Sequence, residues 1–226
     1  MIQNNVHGVL AFCHIHKIYR ECEPIVDLSF VIPAGYILGV FGRPGSGKST
    51  LCRLASLLER PTKGYIVCFG RNILKCSSYQ RQEIRSKLGF VLDDQPLFLE
   101  DSIIANLVKS LAFKGFSRRT LFRKIEPLLE VFDLPLDSTS LLKMPVKNLS
   151  RSQKIKLLMI RALITDPAIL ILDQCLDALE YKVCSMFFDL TTELRKKGSS
   201  LLFTTGDLDL YNNIGNQIEW LGLKNR

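Results

Sequence analysis

The chain has 226 residues and 47% hydrophobic content, enough for a packed core built as one large domain or as a core with an inserted subdomain. No uninterrupted apolar run exceeds five residues, as in 168–172, which excludes a bilayer-spanning helix, and the first residues lack the charged-then-apolar layout of a signal peptide. The net charge of +8 suits an anionic partner, but the basic residues are dispersed apart from short clusters such as Arg118-Arg119 and Arg195-Lys196-Lys197; without a stripe of basic and aromatic residues, no nucleic-acid role is expected. Cysteines at 13, 22, 52, 68, 76, 175 and 184 form an odd set without a C-x-x-C pair, which predicts reduced thiols, with Cys52 and Cys68 buried.

In chain order, segments near 8–18 and 25–32 alternate apolar and polar residues and predict a half-exposed antiparallel sheet, with a turn at Glu21 to Pro24. Tyr36-Ile37-Leu38-Gly39-Val40-Phe41 reads as a buried strand, and Lys48 to Leu58 as a helix. Between them runs Gly42-Arg43-Pro44-Gly45-Ser46-Gly47-Lys48-Ser49-Thr50, a match to G-x-x-x-x-G-K-[ST]. Glycines at this spacing let successive backbone N–H groups close around α- and β-phosphates, the lysine reaches the β- and γ-phosphates, and the Ser49 hydroxyl takes Mg²⁺. The helix N-terminus that follows favours the same anion.

A strand is predicted at 64–69, a short helix at 79–85 and a strand at 88–92. Ser102 to Phe113 and Ser117 to Phe132 carry apolar residues at helical spacing, and Leu134-Pro135-Leu136-Asp137 breaks the pattern, so this stretch reads as a helical insert. From Leu149 an α/β rhythm returns: helix 151–164, strand 168–172, helix 177–197, strand 200–204, a short helix after Asp207 and a strand near 217–222. Such alternation implies a parallel sheet. Strand 168–172 ends at Asp173, the place in a phosphate-loop protein where a carboxylate holds Mg²⁺ beside Ser49.

These features resemble the ATP-binding cassette (ABC) proteins, the nucleotide-binding subunits of ABC transporters, over essentially the whole length from Val9 to Leu223. The resemblance implies an α/β, P-loop NTPase fold: an ABC-type core with an N-terminal antiparallel β subdomain and an inserted α-helical subdomain. It implies one domain over 1–226, with 1–92 and 151–226 as core and about 93–150 as the helical part. ATP and Mg²⁺ are the implied cofactors. Tyr19 matches the family's adenine-stacking aromatic, and Leu149-Ser150-Arg151-Ser152-Gln153 stands where the family carries L-S-G-G-Q. Asp173-Gln174-Cys175-Leu176-Asp177-Ala178-Leu179-Glu180 stands where it carries D-E-P-T-S-A-L-D. The nucleotide contacts carried over are Tyr19, residues 42–50, Ser150, Arg151 and Gln153; the metal contacts are Ser49, Asp93 and Asp173.

Several positions depart from the family. Gln174 replaces the glutamate that polarises the attacking water, and an amide cannot accept that proton. Thr205, in Phe203-Thr204-Thr205-Gly206-Asp207, stands at the switch histidine and lacks its cationic form. Asp93 takes the place of the Q-loop glutamine, with Gln95 two residues on. Arg151 and Ser152 replace the two signature glycines, so Arg151 either obstructs a closed dimer or binds the γ-phosphate itself. The resemblance thus implies a degenerate ATPase subunit that binds Mg-ATP with impaired or absent hydrolysis. It would pair as a homodimer or heterodimer with a second cassette, couple to an integral membrane permease-type subunit, and lie peripherally on the cytoplasmic face of a bacterial inner membrane. In size it resembles the stand-alone bacterial cassettes of lipoprotein-release, phospholipid-trafficking and cell-division complexes. The alternatives are a soluble ABC-type regulatory protein and a structural pseudo-ATPase that no longer needs nucleotide.

Overall fold

The computed structural model describes residues 8–20, 22–92, 95–111, 118–134, 143–214 and 218–223. Two sheets organise them. The first is antiparallel, in the order β2-β1-β4-β5, from β1 (Leu10–Tyr19), β2 (Cys22–Ile32), β4 (Lys63–Cys68) and the two-residue β5 (Arg71–Asn72). The second is parallel, in the order β6-β7-β8-β3-β9, from β3 (Ile37–Phe41), β6 (Leu88–Val91), β7 (Ile169–Asp173), β8 (Ser200–Thr205) and β9 (Glu219–Gly222). The helices are α1 (Lys48–Ala55), α2 (Ser78–Arg85), α3 (Ile103–Leu111), α4 (Arg118–Val131), α5 (Arg151–Leu163), α6 (Tyr181–Lys196) and α7 (Leu208–Ile214). Among the described residues no helix is long and apolar enough to cross a membrane.

Every residue of β7 is buried, as befits an interior strand of a sheet covered on both faces. Its side chains alternate between two cores. Ile169 and Ile171 join Leu38, Val40 and Leu202 under α1 and the antiparallel sheet, while Leu170 and Leu172 join Leu201 and Phe203 against α5 and α6. The second core continues without a break into α3 and α4 through Ile103, Leu107, Leu121, Ile125 and Leu129, so the inserted helices pack on the sheet's own core.

Three local expectations change. The first hairpin is tighter than the composition of Glu21 to Pro24 suggests: Tyr19 pairs with Cys22, leaving only positions 20 and 21 between the strands. β1 is not half-exposed at its start, since Leu10 to Cys13 are all buried, and Leu10 and Phe12 pack in the core with Val40, Leu51 and Leu54. The helix expected at 177–197 begins at Tyr181; residues 176–178 form a 3₁₀ turn instead, and the carboxylate of Asp177 is engaged elsewhere.

Candidate nucleotide site

β3 delivers the phosphate loop from the C-terminal edge of the parallel sheet, and α1 begins immediately after it. The loop's shape depends on missing side chains. A Cβ on Gly42 would lie 2.3 Å from Ser46 Oγ, and one on Gly47 would lie 2.5 Å from the Pro24 carbonyl oxygen. Gly47 also sits at φ 91° and caps α1 without any side-chain hydrogen bond, so the first N–H groups of the helix are left for an incoming anion. Ser46 Oγ is buried with no hydrogen-bond partner, an orphan polar atom of the kind a phosphate oxygen would satisfy. Lys48 is buried, and its Nζ donates to the carbonyls of Gly42 at 2.6 Å and Arg43 at 2.9 Å. Burial lowers its pKa, against the opposing pull of Asp173 and Asp177. Gly45, at φ 81°, completes the loop together with Arg43 and Pro44, all three exposed. Ser49 and Thr50 are half-buried in the first turn of α1. This cradle fits the phosphates of a nucleotide, and the oxygen donors Ser49 and Asp173 suit a hard cation such as Mg²⁺.

Tyr19 stands beside the loop, with its hydroxyl donating to Glu59 Oε2 and also interacting with Thr50. Burial and Glu59 push its pKa up to about 12. Lys17 Nζ lies 4.8 Å from the centre of its ring and 2.8 Å from Glu59.

The neighbouring strands carry a different chemistry. Asp173, buried at the end of β7, accepts a 2.8 Å hydrogen bond from Thr204 Oγ1, which in turn accepts one at 3.0 Å from Gln174 N. Gln174 is exposed at φ 52°, a left-handed conformation uncommon outside glycine. Thr205 is fully buried, donates to Asp177 Oδ1 at 2.5 Å and accepts from Asp207 N at 2.9 Å. Gly206 N donates to Asp177 Oδ2 at 3.1 Å. Solvent reaches Asp177, yet lost hydration raises its pKa in spite of the hydrogen bonds from Thr205 and Gly206, which pull the other way.

At the start of α5, Ser150 and Gln153 cap each other's backbone: Gln153 N donates to Ser150 Oγ at 3.2 Å, and Ser150 N to Gln153 Oε1 at 2.9 Å. Ser152 Oγ donates to Glu180 at 3.5 Å, and the buried Lys156 pairs with the same carboxylate at 3.0 Å, tying α5 to the turn before α6. Arg151, Ser152, Asp173, Gln174 and Asp177 line one cleft of about 700 Å³. The structure therefore puts Tyr19 beside the loop of residues 42–50 and Arg151, Asp173 and Gln174 along one cleft, while Thr205 is buried against Asp177 and Ser150 and Gln153 are turned to capping α5. Asp93 lies outside the described residues. Gln95, with its amide turned to satisfy both ends, donates to Phe90 O at 3.1 Å and accepts from Arg161 at 2.9 Å, which fixes it to β6 and α5.

Thr204 and Asp177 are participants that sequence reasoning did not single out. A signal for Asp177 is present in the sequence, since it stands where the resembling D-E-P-T-S-A-L-D pattern has serine.

Residues 25–177 match the family model described as ABC transporter. The chain is 30% identical over 213 residues to the methionine import ATP-binding protein of Aliivibrio fischeri, covering 92% of this chain and 61% of that one. It is 32% identical over 200 residues to its counterpart in Enterococcus faecalis, covering 88% and 55%. The chain thus spans well under two thirds of the length of these curated relatives. Among solved structures it superposes on a dimeric bacterial ABC transporter cassette with a TM-score of 0.83 at 23% identity, covering 95% of this chain and 94% of that one. An ATP-binding cassette dimer in a post-hydrolysis state, bound to ADP and Pi, gives 0.79 at 22% identity, with 89% of each chain covered. At these identities the structural likeness establishes the fold.

Proposed function

The chain belongs to the ABC transporter family of ATP-binding cassettes, and from that premise we propose that it is an ATP-binding subunit of a membrane transport complex, contributing nucleotide binding rather than turnover. The observation that carries this reading is the contrast between a phosphate cradle complete to its orphan Ser46 hydroxyl and a hydrolysis edge whose polar groups are spent on one another. In this reading the phosphates lie against residues 42–50, with Lys48 exchanging its two loop carbonyls for phosphate oxygens. Ser49, Asp173 and Asp93 hold Mg²⁺, which supplies neutralising charge to the phosphates. Tyr19 offers its ring to the base.

At the position of the family's general base, Gln174 offers an amide, which cannot accept the proton of an attacking water. At the switch position, the Thr205 hydroxyl already donates to Asp177. Ser150, Arg151 and Gln153 approach the nucleotide of a second cassette, identical or not, and the guanidinium of Arg151 brings charge where the family has bare backbone. Residues 1–92 and 151–226 form the core of a single domain and about 93–150 the helical insert.

A cleft of about 490 Å³, lined by Leu58, Phe90, Leu92, Pro96, Leu97 and Phe98, receives a helix of an integral membrane subunit. Leu58 and Phe98 are about half exposed there, an unusual outlay of apolar surface for a chain with no partner. The protein then lies peripherally on the cytoplasmic face of the membrane.

Titration of purified protein with Mg-ATP, beside Lys48→Ala, tests the reading. Micromolar binding that the variant weakens at least about tenfold supports it, since the cradle's only buried cation is removed. Phosphate release at the rate of an active cassette overturns the claim of impaired hydrolysis, and absence of any nucleotide binding overturns the whole. Co-purification with an integral membrane protein separates this role from that of a soluble regulator.

A further inference from the structure

The segment at 205–206 abuts the phosphate loop. Gly42 N donates to Thr205 O at 3.3 Å, and a Cβ on Gly206 would sit 3.6 Å from Gly42 O and 4.0 Å from Lys48 Nζ. Two donors of this segment, the Thr205 hydroxyl and the Gly206 N–H, are therefore at the end of the site that the lysine serves. Both are given to one carboxylate, Asp177, at 2.5 and 3.1 Å. Lys48 feels the charge of Asp177 as well as that of Asp173.

The resemblance drawn from the sequence puts serine at position 177, in D-E-P-T-S-A-L-D, and the switch histidine at position 205. The two departures are partners here: the new carboxylate on the turn before α6 receives the new hydroxyl at the end of β8. Together they exchange a neutral side chain and a potentially cationic one for an anion held in place by two hydrogen bonds. A third phosphate arriving at this corner meets negative charge and finds its donors occupied, whereas a diphosphate ends before it. We propose that Asp177 sets the site's discrimination between nucleoside di- and triphosphates, penalising ATP relative to ADP. This rests on the reading that Mg-nucleotide binds at the phosphate loop.

The test is competition binding of ADP and ATP against a fluorescent nucleotide, in Mg²⁺, for the native chain, Asp177→Asn and Asp177→Ser. Removing one charge a few ångströms from the γ-phosphate is expected to tighten ATP roughly tenfold in both variants while ADP stays within about twofold. Unaltered ADP affinity also reports that each variant is folded. An unchanged ATP-to-ADP ratio in both variants overturns the assignment, as does equal tightening of the two nucleotides or weaker ATP binding. If the native chain binds neither nucleotide, the reading of the phosphate loop falls and this assignment with it; an unchanged ratio with nucleotide bound removes the assignment alone.

Discussion

The loop from Gly42 to Thr50 and the edge from Asp173 to Asp207 meet at adjoining strands of one sheet, yet their polar groups are treated in opposite ways. In the loop, missing Cβ atoms hold the backbone open, α1 begins on a glycine with no side-chain cap, and a buried serine hydroxyl has no partner. Along the edge, Thr204 closes on Asp173, Thr205 and Gly206 close on Asp177, and Ser152 and Lys156 close on Glu180. Buried or half-buried polar groups need partners. The loop leaves that need to a ligand, and the edge has met it internally. On the proposed reading, keeping a nucleotide and turning it over are separable properties of one site, each set by different residues.

The comparison breaks most severely at Gly47. A Cβ there meets a backbone oxygen at 2.5 Å in a left-handed conformation, so Gly47→Ala should cost about 3 kcal/mol and abolish nucleotide binding, as read by thermal unfolding and titration. Retained binding would show that the loop does not depend on the bare backbone.

The edge can be sharpened by reversal. Gln174→Glu alone should raise phosphate release less than about tenfold, because Thr205 stays committed to Asp177, whereas Gln174→Glu with Asp177→Ser and Thr205→His should raise it about a hundredfold. Equal rates for the single and triple variants would locate the deficit elsewhere, at Arg151 and Ser152. A smaller effect belongs to Ser150, whose capping box starts α5: Ser150→Ala should cost about 1 kcal/mol of stability in a denaturant titration.

The smallest effect lies beside the loop at Glu59. Burial opposes its ionisation, but hydrogen bonds from Lys17 and Tyr19 outweigh burial and bring its pKa below the usual value. A depressed folded pKa contributes stability that is present above the unfolded value near about 4.3 and is lost as pH falls through the folded one. Acid unfolding curves should therefore differ between the native chain and Glu59→Gln by less than about 1 kcal/mol, with the difference vanishing at the lowest pH.

Much of this organisation was legible in the chain. The run from Ala168 to Leu172 closing on Asp173 reads as a strand, and residues 42–50 announce a phosphate loop by their spacing between a strand and a helix. What escaped depends on contacts between distant segments. The alternation near the start reads as a half-exposed strand because nothing local reveals the distant segments that bury the opening of β1. Apolar spacing from Leu176 onward ran smoothly into α6, so the helix was expected four residues early; Thr205 and Gly206, 28 and 29 positions away, draw Asp177 out of it. The capping boxes at Ser77–Gln80 and Ser150–Gln153 are written in the chain as Ser-x-x-Gln, and the second coincides with the stretch that resembles the family signature.

The position of β3 bears on how the protein comes into being. Its partners within the sheet are β8 and β9, so Ile37 first finds a neighbour at Leu201, more than 160 residues later. During synthesis the phosphate-loop sequence emerges early, but the strand it hangs from has no sheet partner until Ser200–Thr205 has followed it. Contacts of such long sequence separation form slowly. The loop's bare backbone is therefore held in its native shape only once β8 has taken its place beside β3, and a ligand that stabilises the loop acts on that late-forming pairing.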